Sequence, residues 1–100
     1  MTRPIRSSQL ASEELAAAAR WYEERRGGLG LDFLDAVAAA VELIDEHPEI
    51  GTPVGDDPRT RRLLVTRFPF EVAYRLRADE IVIVAIAHLK RRPGYWRGRE

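Results

Sequence analysis

The chain has 100 residues and no cysteine, which fits one domain with a single hydrophobic core and excludes disulfides and thiolate metal sites. Its longest uninterrupted apolar run, residues 81–87, is too short to span a bilayer, and no apolar signal segment opens the sequence. The formal net charge is zero, but residues 1–58 carry −7 and residues 59–100 carry +7. These features predict a cytoplasmic protein whose basic half suits nucleic acid or an acidic protein segment.

The N-terminal segment, residues 3–7, is a candidate edge strand, and an amphipathic helix is predicted to follow it. Ser8 or Ser12 can cap this helix, because a hydroxyl oxygen accepts hydrogen bonds from the free amides of the first turn. Glu13 and Glu14 then lie in that turn, where the helix dipole favours acidic side chains. No role beyond a solvated helix face is expected of these two carboxylates.

A second amphipathic helix is predicted from near Leu31 to near His47, after a glycine-rich connection at residues 27–30. Two such helices joined by a short connection form an antiparallel hairpin. Residues 48–58 follow with three prolines and two glycines, and this composition predicts a loop.

In the second half of the chain the apolar period changes to two, which predicts strands. Residues 62–68 form the first strand, with Phe68 on the face opposite Leu63 and Val65. Residues 70–77 alternate most regularly, so one face of this strand is expected to be buried and the other solvated or liganded. The predicted fold class is α+β, with the N-terminal antiparallel helical hairpin packed on a small antiparallel sheet of three to four strands.

The last predicted strand, residues 81–87, is apolar at both alternating positions, so cover on both faces is expected. It leads into the basic and aromatic stretch His88-Leu-Lys-Arg-Arg-Pro-Gly-Tyr-Trp96. In an uninterrupted strand His88 shares a face with Val82, Val84 and Ile86. A structural role is the preferred interpretation of this histidine, and the alternative is a general acid or base aided by the cations that follow it.

No metal site or cofactor is expected. The chain has only two histidines, and His47 lies at a helix end beside a proline, where a capping role is the simpler interpretation. The glycines at residues 27–30 lie between helices rather than after a strand, so they do not form a phosphate-binding loop.

Taken in order, the motifs of this sequence resemble the RelE/ParE superfamily, the toxins of type II toxin–antitoxin modules. The motifs that carry the resemblance are Ala18-Ala-Arg-Trp-Tyr-Glu-Glu-Arg25, His47-Pro-Glu-Ile-Gly51, Arg61-Arg-Leu-Leu, Arg67-Phe-Pro-Phe70, Val72-Ala-Tyr-Arg75 and the His88–Trp96 ending. This ending is similar to the family's His-x-Arg-Arg-x-Pro-x-Tyr-Trp. The resemblance implies one RelE/ParE-like toxin domain over residues 1–100 and a hetero-oligomeric complex with a cognate antitoxin.

The two branches of the superfamily differ in their targets. The RelE branch cleaves mRNA in the ribosomal A site, whereas the ParE branch poisons DNA gyrase. In RelE-like nucleases a catalytic arginine lies three residues before a tyrosine of the middle strand. Counting back from Tyr74, this position holds Glu71, whose carboxylate would repel a scissile phosphate. The resemblance therefore favours a ParE-like toxin that inhibits gyrase without catalysing a reaction.

Two alternatives stay open at this point: a metal-independent, ribosome-dependent mRNA endoribonuclease, and an antitoxin-binding module that has lost toxicity. A nuclease would use Arg67, His88, Lys90, Arg91 and Tyr95. The expected contacts with a cellular target are His88, Lys90, Arg91, Tyr95 and Trp96. The expected antitoxin-binding residues, covered by a partly disordered acidic segment, are Arg62, Arg67, Arg75, Val82, Val84 and Ile86.

Overall fold

The computed structural model of the protein describes residues 3–100, which form two helices packed on one face of a five-stranded sheet. The elements in chain order are β1 (Ile5–Ser7), α1 (Gln9–Arg25), α2 (Leu29–Glu46), β2 (Thr52–Val54), β3 (Asp57–Leu64), β4 (Phe70–Leu76) and β5 (Ile81–His88). The strand order is β1-β5-β4-β3-β2, with β1 parallel to β5 and all other pairs antiparallel. The α+β class and the helical hairpin are confirmed. The sheet, predicted to be antiparallel with three to four strands, has five strands and is mixed, because β1 pairs in parallel with β5.

One residue determines where each helix begins. The Ser8 hydroxyl accepts a hydrogen bond of 3.1 Å from the Ala11 amide and caps α1. Gly28 adopts a φ of 89°, a left-handed conformation that suits glycine, and α2 begins immediately after it. Neither helix combines the length and hydrophobicity that crossing a membrane requires.

The prediction of a loop at residues 48–58 is wrong in part, because β2 and the start of β3 form a hairpin there. Prolines are tolerated at this place because β2 is an edge strand and its pairing with β3 is irregular after Pro53. The hydroxyl of Tyr74 fixes the chain that enters this hairpin. It donates to the Pro48 carbonyl at 2.7 Å and accepts from the Gly51 amide at 2.9 Å.

The predicted position of Phe68 opposite Leu63 and Val65 is also wrong. Strand β3 ends at Leu64, and the following turn breaks the alternation, with Arg67 at a φ of 77°. The Phe68 ring therefore joins the helix-side core that contains Leu63 and Val65.

A β-bulge in β5 changes the faces that its residues occupy. Ala73 pairs with Ala85, but the next residue of β4 pairs with Ile83, so Val84 is the additional residue. Val82 and Val84 accordingly face away from the helices, whereas Ile86 belongs to the helix-side core. The prediction that Val82, Val84, Ile86 and His88 share one face is wrong for this reason.

Residues 89–100, hereafter the C-terminal segment, fold back over the sheet face opposite the helices. Trp96 is only 1% exposed and packs in a second apolar cluster, which contains Ala73, Val82, Val84, Ala85 and Ala87. Glu71 on the same face of the sheet is 9% exposed. The second face of β4, predicted to be solvated or liganded, is therefore covered by the chain's own C-terminal segment.

Candidate functional site

The C-terminal segment is held on the sheet by arginine side chains as well as by Trp96. Arg75 of β4 donates to the carbonyls of Arg97, at 3.0 Å, and of Arg99. Arg77 donates to the Glu100 carbonyl at 2.8 Å. These bonds use two cations of the basic half to satisfy the backbone of an irregular segment, so Arg75 is not a free surface cation in this conformation.

Glu14 of α1 holds the same segment from its other side. Its carboxylate accepts from the Tyr95 hydroxyl at 2.6 Å, from the Arg99 guanidinium at 2.9 and 3.1 Å, and from the Ile86 amide at 3.1 Å. Burial by itself would raise the pKa of Glu14, but the hydrogen bonds from Arg99, Tyr95 and Ile86 outweigh it and lower the pKa. Glu14 is therefore an ionised carboxylate at neutral pH.

The partners of Glu14 titrate in the matching directions. Burial and the hydrogen bond to Glu14 raise the pKa of Tyr95 to about 12, so its hydroxyl keeps its proton and remains a donor. The hydrogen bond to Glu14 also raises the pKa of Arg99. Sequence reasoning missed both Glu14 and Arg99, because no pattern of local spacing connects residues that lie 85 positions apart.

Glu71 forms an ion pair with Arg62, with an N–O distance of 3.3 Å, beneath the C-terminal segment. The pair lines a small cavity of about 60 Å³, whose wall also includes His88, Arg91 and Tyr95. This volume accommodates one or two water molecules but no nucleotide. The position that would carry a catalytic arginine in a nuclease thus carries a carboxylate that is neutralised by a neighbouring strand.

Of the residues assigned to nuclease chemistry, His88, Arg91 and Tyr95 line this cavity, Lys90 does not, and neither does Arg67. It lies in the turn between β3 and β4 and pairs with Asp32 at the start of α2, with an N–O distance of 3.8 Å. His88, Lys90, Arg91 and Tyr95 do lie together, at the end of β5 and in the turn that follows it.

His88 makes two contacts that end β5. Its Nδ1 accepts from the Lys90 amide at 3.0 Å, and its ring packs edge-on against Phe70 at a centroid distance of 5.0 Å. With Nδ1 occupied as an acceptor, the proton of the neutral ring lies on Nε2. These contacts favour the structural interpretation of this histidine.

The turn after β5 presents three consecutive exposed cations, Lys90, Arg91 and Arg92, hereafter the basic turn. The Arg91 guanidinium carbon lies 3.9 Å from the centroid of the Tyr95 ring, a cation–π contact. Tyr95 is half-buried and Trp96 is fully buried, so these two aromatic residues support the basic turn from below.

An apolar hollow of about 480 Å³ lies on the helix side, at the end of β5. It is lined by Ala17, Ala18, Trp21, Tyr22, Pro69, Phe70 and His88. Trp21 is 51% exposed at its rim, which is unusual for so large an apolar side chain. The apolar hollow and the basic turn are two surfaces with different binding chemistry. Within residues 3–100, no group of three or more histidine or acidic side chains is placed to hold a metal ion.

Comparisons with known proteins agree with this architecture. The family model of the ParE toxin of type II toxin–antitoxin systems (parDE) matches residues 5–93. A chain of the solved structure described as the chromosomal ParDE TA system from P. aeruginosa superimposes with a TM-score of 0.74. At 22% sequence identity, this match covers 86% of the present chain and 95% of the other and establishes a shared fold. A search of curated protein sequences finds no significant match. The chain therefore belongs to the ParE toxin family of type II toxin–antitoxin systems, and a cognate antitoxin is the partner that this membership implies.

Proposed function

We propose that this toxin acts in the cytoplasm by inhibiting DNA gyrase, without catalysing a reaction itself, until its antitoxin neutralises it. The observation that carries the proposal is the Glu71–Arg62 ion pair beneath the C-terminal segment. A nuclease of the related branch needs a cation at the Glu71 position to stabilise the charge that develops on a phosphate. A carboxylate there has the opposite effect.

Two further observations weigh against the nuclease alternative. The cavity beside Glu71 is too small for a nucleotide, and Arg67, one of the residues that a nuclease would use, lies outside it. His88 already uses Nδ1 as an acceptor within its own turn. The remaining candidates are Lys90, Arg91 and Tyr95. Lys90 and Arg91 supply positive charge but no base, and the Tyr95 hydroxyl is already bonded to Glu14.

We assign the contact with gyrase to the basic turn. Lys90 and Arg91 are both exposed, and Arg91 is stacked on the Tyr95 ring, so its side chain loses less conformational freedom on binding. Trp96 is a support rather than a contact, because its side chain is buried. His88 and Tyr95 are half-buried, so they too act mainly as supports and offer only part of their surface to a target.

The antitoxin site that we propose differs from the expected set. Val82 and Val84 are inaccessible under Trp96, Ile86 is in the helix-side core, and Arg75 is bonded to the C-terminal segment. Arg62 and Arg67 stay exposed.

Arg67 lies in the turn that also contributes Pro69 to the apolar hollow. An acidic, amphipathic antitoxin segment would place apolar side chains in the hollow and carboxylates beside Arg67.

The decisive experiment is a supercoiling assay with purified gyrase and purified toxin. Supercoiling should fall and cleaved DNA should accumulate as toxin is added, and Arg91→Ala should weaken both effects. Arg59→Ala is the matched control, because Arg59 is also an exposed arginine but lies in β3, outside the basic turn. Undiminished supercoiling at micromolar toxin would contradict the proposal.

Two observations in cells separate the alternatives. Mapping of mRNA 5′ ends after toxin induction should reveal no cuts in the ribosomal A site, whereas a nuclease would produce cuts that Arg91→Ala abolishes. Growth after induction without antitoxin should stop. Normal growth would instead support a module that has lost toxicity.

Antitoxin binding is tested by co-purification with the antitoxin encoded beside the toxin. Arg67→Glu and Trp21→Ala should each weaken retention, because the first repels acidic side chains and the second removes the rim of the hollow. Arg59→Glu is the control for an added exposed carboxylate. Equal retention of all three variants and the wild type would refute the assignment of this surface.

A further inference from the structure

One carboxylate, that of Glu14, joins three parts of the molecule: helix α1, strand β5 and the C-terminal segment. It accepts four hydrogen bonds, all between 2.6 and 3.1 Å, from Tyr95, Arg99 and the Ile86 amide. Its side chain is 19% exposed. A partly buried carboxylate that accepts four hydrogen bonds has one favoured orientation. The side chains that donate these bonds are held in fixed positions as well.

The Glu14 carboxylate also bonds to a backbone group of β5 that has no strand beside it. Strand β1 pairs with β5 only as far as Ile83, so the edge groups beyond that point lack a neighbouring strand. The Arg99 guanidinium donates to the Val84 carbonyl at 2.9 Å, and the Ile86 amide donates to Glu14. Side chains of α1 and of the C-terminal segment thus take the place of a backbone partner.

The contacts continue from Glu14 to the basic turn. The Tyr95 hydroxyl donates to Glu14, which fixes the plane of the ring, and the Arg91 guanidinium stacks on that ring at 3.9 Å. Arg99 lies 5.2 Å from the same ring. The orientation of Arg91 therefore depends on Tyr95, and that of Tyr95 depends on Glu14.

We propose that Glu14 is a positioning residue, which fixes the C-terminal segment on the sheet and, through Tyr95, holds Arg91 in the orientation that contacts the target. Trp96 and Arg75 attach the C-terminal segment to the sheet, by apolar packing and by hydrogen bonds, whereas Glu14 determines where the segment lies along the edge of β5. The part of this inference that concerns the target rests on the proposed inhibition of gyrase.

The position of the segment is measured by acrylamide quenching of Trp96 fluorescence in a Trp21→Phe background, where Trp96 is the remaining tryptophan. Glu14→Ala leaves Tyr95 and Arg99 without an acceptor, and we expect the quenching constant to rise about threefold. Glu13→Ala is the matched control, because Glu13 is an exposed carboxylate one residue away whose one side-chain hydrogen bond within residues 3–100 comes from Gln9. Equal quenching of the two variants would overturn the proposal.

Function is measured by the gyrase inhibition of the Glu14 and Glu13 variants with Trp21 retained, beside their affinity for antitoxin. Inhibition by Glu14→Ala should need about tenfold more toxin, the factor expected for one lost charge-assisted hydrogen bond, while antitoxin affinity stays unchanged. Tyr95→Phe keeps the ring under Arg91 and loses only its bond to Glu14. It should also weaken inhibition while Trp96 stays protected from quenching.

The remaining outcomes each decide one part of the inference. Unchanged inhibition by a Glu14→Ala protein whose Trp96 is exposed would refute the link to the target. If Glu14→Ala does not fold, Glu14→Gln takes its place in both experiments, because glutamine has the same size as glutamate. The quenching constant of Trp96 must then rise and gyrase inhibition must weaken, and no change in either would overturn the proposal. If the wild type does not inhibit gyrase, the proposed function fails, whereas the quenching experiment still decides whether Glu14 positions the segment.

Discussion

Replacement of Trp96 by alanine should remove a large part of the stability of this fold. The indole is 1% exposed, and a tryptophan buries roughly 150–250 Å². At about 25 cal/mol per Å² this area corresponds to about 4–6 kcal/mol. Tryptophan-to-alanine replacements in cores cost about 3–5 kcal/mol. We expect about 3–4 kcal/mol, because Trp96 belongs to a surface segment that can partly collapse onto the sheet.

Urea unfolding followed by far-UV circular dichroism measures this loss. A domain of this size has about 5–15 kcal/mol in total, so the variant should remain folded with a much lower midpoint. Trp21→Ala is the control, because half of its side chain is already exposed and its main contacts are Tyr22 and Arg25. We expect that control to lose about 1 kcal/mol. A loss below about 1 kcal/mol in Trp96→Ala, with an unchanged denaturant slope, would refute the view that the C-terminal segment belongs to the cooperative core.

Three further changes test the supports around the site. Tyr74→Phe should cost about 1–3 kcal/mol in urea unfolding, because the buried hydroxyl is both a donor and an acceptor in the chain that enters the β2–β3 hairpin. Gly51→Ala should also destabilise, by about 1–3 kcal/mol, since its added carbon would lie 2.7 Å from the Tyr74 hydroxyl. Acid should weaken the wild type more than it weakens Glu14→Gln, in which Asp57 and Glu100 still have lowered pKa values and still lose stabilisation in acid. The pKa of Glu14 is lower in the folded state, so its stabilisation is complete above the ordinary value of 4.5 and is lost as pH falls through the folded value. Unfolding curves of the two proteins between neutral and acid pH check this, and parallel acid losses would contradict it.

The N-terminal segment has no periodic pattern and was only a candidate edge strand. Periodicity was enough to predict the helical hairpin and the three long strands, because each helix has an apolar stripe, β4 alternates and β5 is a short apolar run bounded by a polar turn. It could not predict the bulge at Val84. Strand β5 is apolar at both alternating positions, so a shift of one residue leaves no trace in its pattern. The faces of Ile86 and His88 depend on that shift.

The candidate site was predictable only in part. The basic turn is contiguous in sequence and could be found there. The burial of Glu71 and the role of Glu14 depend on the path of an irregular segment, which has no period of its own. Its hydrogen bonds to Glu14 join residues 81 and 85 positions apart, and such pairs have no local signal.

The pairing of β1 with β5 bears on how the toxin is made. Ile5 pairs with Ile81, and Arg6 donates hydrogen bonds to Glu80 and Glu100. The partners of the first strand are therefore translated 74 to 94 residues after it. At roughly 5–20 residues per second, this delay lasts several seconds, during which α1 and α2 have no sheet to pack on. Contacts of such long range also form late in folding. A chain that is still being translated therefore has no ordered basic turn, and a prematurely terminated one is expected to be harmless.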